Sequence, residues 1–232
     1  MVLAVAVATA GGVWALVAAS TSAGTAPETL VQRTAHAYDD PTSYSVVVNK
    51  QRPLSPIDYA PEDLVRVNVP FVGTAPLLRS KAASATEALF AAFHSETGLG
   101  MQSNSAYRSY ADQKKEFARF SGTLGTSEAL ETTARPGYSE HQTGLAIDIG
   151  AYKSSCTTRD CFAATPQAHW LATNAWRFGF IIRYPLGKQS ITGYTYEPWH
   201  IRFVGKDLAK KIHGHYPSLE SYFGLPAAPD YS

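Results

Sequence analysis

Four side chains suited to metal-assisted hydrolysis lie in two short stretches of the sequence, "SEHQTGLAIDIG" and "YEPWHIRF". His141 and Asp148 belong to the first stretch, and Glu197 and His200 belong to the second. Two imidazoles and a carboxylate, with a further position left for water, form a common ligand set of catalytic zinc. Such an ion lowers the pKa of water toward 7. The two stretches therefore predict one zinc ion per chain, bound by His141, Asp148 and His200.

The alternation of side chains along a strand explains how these residues would meet. Successive side chains of a strand point to opposite faces. The apolar residues of "LAIDI" would therefore face the core, while Asp148 points the other way. The same alternation in "HIRF" separates His200 from its apolar neighbours. An aspartate on an exposed strand face is often merely solvated, and the second stretch makes a shared metal site the better interpretation.

Glu197 is the predicted catalytic base. It lies three residues before His200, and in a fully extended strand those two side chains would face opposite sides. Pro198 disfavours helix at the preceding residue, so we predict a bend or bulge between Glu197 and His200. A carboxylate placed there can accept a proton from water and deliver it to the leaving amine.

Other polar residues are predicted to contact the substrate. A developing oxyanion needs a positive or hydrogen-bonding partner, and Arg108 is the candidate because a guanidinium also binds carboxylates through two hydrogen bonds. Gln113 and Ser139 are predicted to form neutral hydrogen bonds to a peptide. Aromatic residues near the motifs would either line a cleft or simply pack in strands; these are Tyr138, Tyr184, Tyr194, Tyr196 and Trp199.

The elements that position these residues mix helix and strand without regular alternation. Apolar spacing predicts helices from about 78 to 98 and in "YADQKKEFARF", "PQAHWLATNAWRFG" and "KDLAKKIHGHYP". Strands are predicted in "MQSNSAYRS", "GLAIDI", "FIIRYP" and "YTYEPWHIRFVG". A Gly-, Thr- and Ser-rich loop is predicted up to about Gly137. We therefore expect an α+β fold with a small, mainly antiparallel sheet, packed helices and the zinc site on the sheet face.

The amino-terminal residues are predicted to direct export. "VLAVAVATAGGVWALVAAS" carries no charge and is followed by small residues, so residues 1–26 are interpreted as a secretory signal, with a membrane anchor as the alternative. Residues 27–40 would be a tether and residues 41–225 the zinc peptidase domain. The predicted location is extracellular or in the cell envelope.

Cysteine usage and charge restrict the compartment and the partners. The two cysteines, Cys156 and Cys161, lie close together in a polar stretch and are predicted to form a disulfide, as in other exported proteins. The formal net charge of the 232 residues is +1 and no basic run occurs. These features argue against a nucleic-acid partner and limit membrane contact to the possible amino-terminal anchor.

The motifs together resemble the VanY-type D-alanyl-D-alanine carboxypeptidases, zinc peptidases of bacterial cell walls that include related L,D-carboxypeptidases. The resemblance is carried by "YRSYADQ", "PGYSEHQTGLAIDIG" and "EPWHIRFVG". It implies a compact α+β fold with zinc ligands at His141, Asp148 and His200, a catalytic base at Glu197 and a substrate-stabilising role for Arg108.

The function implied by this resemblance is removal of the C-terminal D-alanine from peptidoglycan stem peptides, as a D,D-carboxypeptidase. An L,D-carboxypeptidase acting on tetrapeptide stems is one alternative, because pocket shape rather than the zinc centre selects the bond. A non-catalytic, zinc-containing wall-binding module is the other, since a fold alone does not specify a function.

Overall fold

The computed structural model describes residues 37–231. The leader predicted at residues 1–26 and most of the tether predicted at residues 27–40 lie outside the described residues. Within the described part of the chain, no helix is both long enough and apolar enough to cross a membrane.

Helices and strands alternate irregularly along the chain, as predicted. The strands are β1 (Leu64–Arg66), β2 (Leu77–Arg79), β3 (Met101–Ser105), β4 (Ala146–Ala151), β5 (Phe180–Tyr184) and β6 (Glu197–Phe203). The α-helices are α1 (Ser80–Thr97), α2 (Tyr110–Leu124), α3 (Thr126–Thr132), α4 (Pro166–Asn174), α5 (Gln189–Thr192), α6 (Lys206–Ile212) and α7 (Leu219–Phe223).

Two antiparallel sheets organise these elements. The larger has four strands in the order β3-β4-β6-β5, and β1 and β2 form a separate pair. All pairings are antiparallel, so the predicted α+β class with a small antiparallel sheet is confirmed. The strands β4 and β6, which carry the two predicted site motifs, are the central neighbours of the larger sheet.

The core lies against one face of this sheet, where the apolar residues of β4 and β6 point. Leu145, Ile147, Ile149 and Ile201 are fully buried there, as the strand alternation predicts, and they join a cluster with residues of α1 and α4. Burial of large aliphatic side chains stabilises a fold by about 1.5–3 kcal/mol each. This face therefore holds the central strands rigidly while their opposite face carries the polar site.

Helix ends follow the predicted chemistry, with one difference. Ser109 accepts a hydrogen bond from the backbone of Asp112 at the start of α2, and Gly98 ends α1 in the left-handed conformation.

The stretch predicted to be a loop up to Gly137 instead contains α3. Ala129 is the buried residue of this seven-residue helix, so its sequence offers no apolar period from which a helix could be predicted.

Residues 44–54 cross the surface of the domain as an extended amino-terminal segment. Val46, Val47 and Val48 are at least 97% buried, and Leu54 donates a backbone hydrogen bond to Gly137. Although largely without regular strand structure, the segment is therefore an integral part of the core.

Candidate metal centre and active site

The sheet register brings Asp148 and His200 together. The two residues are direct partners across the β4–β6 pair, and His200 Nδ1 lies 3.1 Å from Asp148 Oδ1. His141 comes from a 3-10 turn that precedes β4 and ends at Gly144, whose φ of 66° is in the left-handed region. This turn folds the imidazole back over β4, where His141 Nε2 lies 3.3 Å from Asp148 Oδ2. The three predicted ligands thus share one centre.

The donor set fits a zinc ion. One ligand atom from each of His141, Asp148 and His200 lies within 4.8 Å of the others, and all three residues are buried. Ligands about 2.0–2.2 Å from a tetrahedral zinc are about 3.4 Å apart, and each imidazole has a nitrogen 3.1–3.3 Å from an oxygen of Asp148. His141 Nδ1 lies 2.7 Å from the carbonyl oxygen of Ala106. That carbonyl keeps the ring proton on Nδ1 and leaves Nε2 free to bind a metal.

A bulge in β6 turns Glu197 toward this centre. Ile182 pairs with Ile201, but Tyr184 pairs with Glu197, so two steps along β5 correspond to four along β6. The bend or bulge predicted between Glu197 and His200 is therefore confirmed as a bulge in this part of β6. As a result, Glu197 Oε2 lies 3.8 Å from His200 Nδ1, on the same side of the sheet as the three ligands.

Burial prepares Glu197 for proton transfer. Burial raises the pKa of its carboxyl to about 7, with His200 and Arg108 opposing the rise and Asp148 adding to it. A general base is most effective when its pKa lies near the working pH. In the metal-free protein, Glu197 is thus poised to exchange a proton at neutral pH.

Asp148 and the two histidines influence one another strongly in the metal-free protein. Burial opposes ionisation of Asp148, but the imidazoles of His141 and His200 outweigh it and hold the pKa of the carboxyl well below its ordinary value. Burial also opposes a charge on His200, yet the neighbouring carboxylates of Asp148 and Glu140 raise its pKa to about 9. For His141, burial is the larger effect and its pKa is lowered.

A cleft of about 590 Å³ opens over the centre. Its lining includes all three predicted ligands, Glu197, and the predicted substrate contacts Arg108 and Ser139. The cleft is large enough for a short peptide. The predicted catalytic and metal-binding residues therefore meet at the base of one concave surface.

Gln113 differs from the expectation that it contacts substrate. Its side chain is fully buried and does not line the cleft. Gln113 Oε1 accepts a hydrogen bond of 2.7 Å from Arg108 Nε, while its Nε2 donates to the carbonyl of Ala134. Gln113 therefore orients Arg108, which itself lines the cleft, rather than a ligand.

Aromatic side chains form one wall of the cleft. Tyr184, Tyr194 and Trp199 are among its lining residues, and the ring of Tyr184 lies 4.9 Å from that of His200. Trp199 also packs against the main core. Tyr138 packs against the buried side chains of Tyr184 and Tyr194. Tyr184, Tyr194 and Trp199 thus line the cleft, whereas Tyr138 packs beside it.

The disulfide between Cys156 and Cys161 is present, as predicted. The loop that it closes contributes Thr158, Arg159 and Asp160 to the lining of the cleft. Sequence reasoning did not assign these residues to the site, because a polar loop has no period that fixes the direction of its side chains.

Glu140 is a further residue of the site that the sequence did not reveal. It precedes His141 in the 3-10 turn and is 1% exposed. Its Oε2 lies 3.5 Å from His200 Nε2. The conformation of a short turn is not encoded in strand alternation, so no pattern in the sequence indicated that Glu140 would point inward.

Comparisons with known proteins agree with this geometry. A sequence profile described as VanY, D-alanyl-D-alanine carboxypeptidase, matches residues 75–206. The Bacillus subtilis (strain 168) protein YodJ is 42% identical over 188 residues, which cover 79% of this chain and 68% of YodJ.

Two solved structures are also similar. The LdcB LD-carboxypeptidase, described for its recognition of peptidoglycan, is 41% identical with a TM-score of 0.74, covering 80% of this chain and 88% of LdcB. A variant of the D,D-pentapeptidase VanY from a VanB-type vancomycin resistance cassette, solved with Zn(II), is 31% identical with a TM-score of 0.59. That match covers 77% of this chain and 98% of the VanY chain.

Proposed function

Because the chain belongs to the VanY family of D-alanyl-D-alanine carboxypeptidases, we propose that it is a zinc-dependent carboxypeptidase that releases the C-terminal D-alanine from peptidoglycan stem peptides. The observation that carries this proposal is the position of Glu197, which lies beside an open three-ligand centre at the base of a cleft. A purely structural zinc site is normally closed by four protein ligands, and it has no use for an adjacent base.

The side chains of the site divide the work of hydrolysis. When bound by His141, Asp148 and His200, zinc would supply the Lewis acidity that polarises the scissile carbonyl and acidifies water. Glu197 accepts a proton from the attacking water as the carbon–oxygen bond forms. It then delivers that proton to the nitrogen of the leaving D-alanine as the carbon–nitrogen bond breaks. Arg108, fixed by Gln113, offers its guanidinium to the developing oxyanion or to the terminal carboxylate.

Two stem peptides are candidate substrates. The family description supports D,D-cleavage of a pentapeptide stem that ends in D-Ala-D-Ala. The higher identity and TM-score of the match to LdcB support the second candidate, L,D-cleavage of a tetrapeptide stem. Both reactions use the same centre and differ in how the cleft holds the residues before the scissile bond.

The proposed site of action is the cell envelope or the extracellular space. Peptidoglycan stem peptides occur there, and the disulfide suits an oxidising compartment. The proposed organisation is a leader at residues 1–26, a tether at residues 27–40 and the catalytic domain at residues 41–225.

Exchange of Glu197 for glutamine tests the function. With zinc-loaded protein, we expect D-alanine release from a pentapeptide or tetrapeptide stem, measured by mass spectrometry of the products. Glu197→Gln should lower kcat by about 10²–10⁴-fold, the usual contribution of general acid–base catalysis, while zinc content stays unchanged. Glu128→Gln, at an exposed position on α3, is the matched control and should keep full activity.

Two outcomes would contradict the proposal. Failure of the zinc-loaded protein to release D-alanine from either stem would exclude the carboxypeptidase activity and favour the wall-binding module. Full activity of Glu197→Gln would remove the assignment of Glu197 as the base.

A further inference from the structure

We propose that Glu140 is a positioning residue of the metal centre, which accepts a hydrogen bond from His200 Nε2–H and so directs His200 Nδ1 toward the metal. The inference rests on the proposed zinc site, but it concerns a carboxylate that is not itself a ligand. It assigns a role to a fully buried acidic side chain that the reaction steps above do not use.

The first observation is a pair of unsatisfied atoms that face each other. Glu140 Oε2 and His200 Nε2 are both buried without a hydrogen-bond partner among the described residues, and they lie 3.5 Å apart. A buried polar atom left unpaired costs about 1–3 kcal/mol. A movement of a few tenths of an ångström would bring the two atoms to ordinary hydrogen-bond distance, about 3.0 Å. Each atom is thus the natural partner of the other.

The second observation is the direction of the His200 ring. Its other nitrogen, Nδ1, faces Asp148 at 3.1 Å and Glu197 at 3.8 Å, on the side of the proposed metal. A neutral imidazole carries its proton on only one nitrogen. An acceptor at Nε2 therefore keeps the proton there and leaves the Nδ1 lone pair available, as hydrogen bonds to metal-bound histidines generally do.

The third observation is that Glu140 cannot turn away. Its Oε1 accepts hydrogen bonds from Arg183 Nε at 2.8 Å and from Arg202 Nη1 at 2.6 Å. Both arginine side chains are fully buried. Because one oxygen is fixed by two cations, the other is held in place beside His200.

Both arginines are in turn fixed by distant parts of the chain. Arg183 forms two hydrogen bonds with the carboxylate of Glu220 in α7, at 3.0 and 2.6 Å. Arg202 donates to the carbonyl of Val46 at 2.7 Å. We call Glu140, Arg183, Arg202 and Glu220 the buried charge cluster. It contains two cationic and two anionic side chains, and Glu140 is its contact with the metal centre.

Glu220 provides a matched control, because it belongs to the same cluster without approaching His200. Its side chain is fully buried. It accepts hydrogen bonds from Arg183 and from Asn49. Replacing either glutamate by glutamine removes one buried anion from the cluster. A purely structural role for Glu140 predicts the same consequences for both substitutions.

The test compares zinc affinity in Glu140→Gln, Glu220→Gln and the unchanged protein, by competition with a chelator of known affinity. We expect Glu140→Gln to weaken zinc binding by about 10–100-fold, the usual effect of losing a hydrogen-bond partner of a ligand. A glutamine amide would also donate to Nε2 and so favour the tautomer with its proton on Nδ1. Glu220→Gln should change zinc affinity by less than about threefold, while both variants lose thermal stability. Equal zinc affinity in the two variants would overturn the inference.

A second measurement keeps the inference testable if Glu140→Gln does not fold. In the zinc-loaded, unchanged protein, NMR should show a His200 Nε2–H proton protected from solvent exchange and Nδ1 without a proton. Zinc binding through Nε2 would refute the positioning role. Failure of the unchanged protein to bind zinc would instead refute the proposed function, so the two failures are distinguishable.

Discussion

His200 is a side chain of the metal-free centre whose pKa is well above its ordinary value. It lies between two carboxylates, Asp148 and Glu140, whose oxygens are 3.1 and 3.5 Å from its ring nitrogens. These carboxylates outweigh burial and raise the pKa of His200 from 6.5 to about 9. A pKa that differs between the folded and unfolded chains makes stability depend on pH, and the sign of that dependence follows from the direction of the shift.

Metal-free protein should therefore lose stability as the pH rises from 6.5 to 9. Because the pKa of His200 is raised on folding, its stabilising contribution is fully present below the unfolded pKa and is lost as the pH passes the folded one. We expect a loss on the order of 2 kcal/mol, measured by urea unfolding with a chelator present. His200→Gln should flatten this slope, and an unchanged protein whose stability rises over the same range would contradict the expectation.

Spacing and strand alternation were sufficient to predict the residues that face the centre. Asp148 and His200 lie on strands, where the sequence determines the face of each side chain. Glu197 joins them through the bulge predicted beside Pro198, and His141 lies in the turn just before β4. The direction of Gln113 and Glu140 could not be predicted in this way. Gln113 is drawn inward by Arg108 and Ala134, and such pairings depend on tertiary neighbours that a single sequence does not specify.

The disulfide loop is an element that serves both stability and the cleft. It closes a short loop after β4 and contributes Thr158, Arg159 and Asp160 to the cleft lining. The loop lies outside the sheet that carries Asp148 and His200. We therefore expect its order to affect substrate binding more than the chemical step.

Removal of both cysteines should separate these two roles. The double variant Cys156→Ser, Cys161→Ser should lower the free energy of unfolding by about 2 kcal/mol, the chain-entropy value for so short a loop. We also expect a higher KM with little change in kcat, measured with the stem peptide that the protein cleaves. The variant should be insensitive to reductant, unlike the unchanged protein. An unaltered KM would show that the loop does not contribute to substrate binding.

The regular elements were largely predictable because they carry clear periods or caps. The helix ending at Gly98 and the bulge at Pro198 follow from the backbone preferences of those two residues. The helix α3 was missed because it is short and exposed. The segment 44–54 shows a different limit, since its carbonyls are bound by arginine side chains that lie far away in sequence.

At the scale of the whole molecule, the amino-terminal segment and the metal centre are physically connected. The carbonyls of Tyr44 and Val46 accept hydrogen bonds from Arg202, which also binds Glu140. If Glu140 positions His200, we expect metal binding to stabilise docking of this segment, and docking must then favour metal binding equally, because coupling between two sites is reciprocal.

Hydrogen exchange should reveal this coupling. Zinc should slow exchange of the Val47 and Asn49 amides, which donate to Tyr38 and Arg52, by at least about fivefold beyond its effect on α1. In Glu140→Gln this additional protection should disappear even at saturating zinc. Equal protection of the segment and α1 by zinc would mean that the centre and the segment are independent.

The composition of the buried charge cluster also constrains how the protein can evolve. Its two arginines and two glutamates neutralise one another away from solvent, and losing one partner of a buried ion pair costs about 3–5 kcal/mol. A single substitution at Glu220 or Arg183 would therefore remove a large part of a typical free energy of unfolding. Replacing the cluster with apolar residues would therefore require several mutations at once, because each single step would leave an unpaired buried charge.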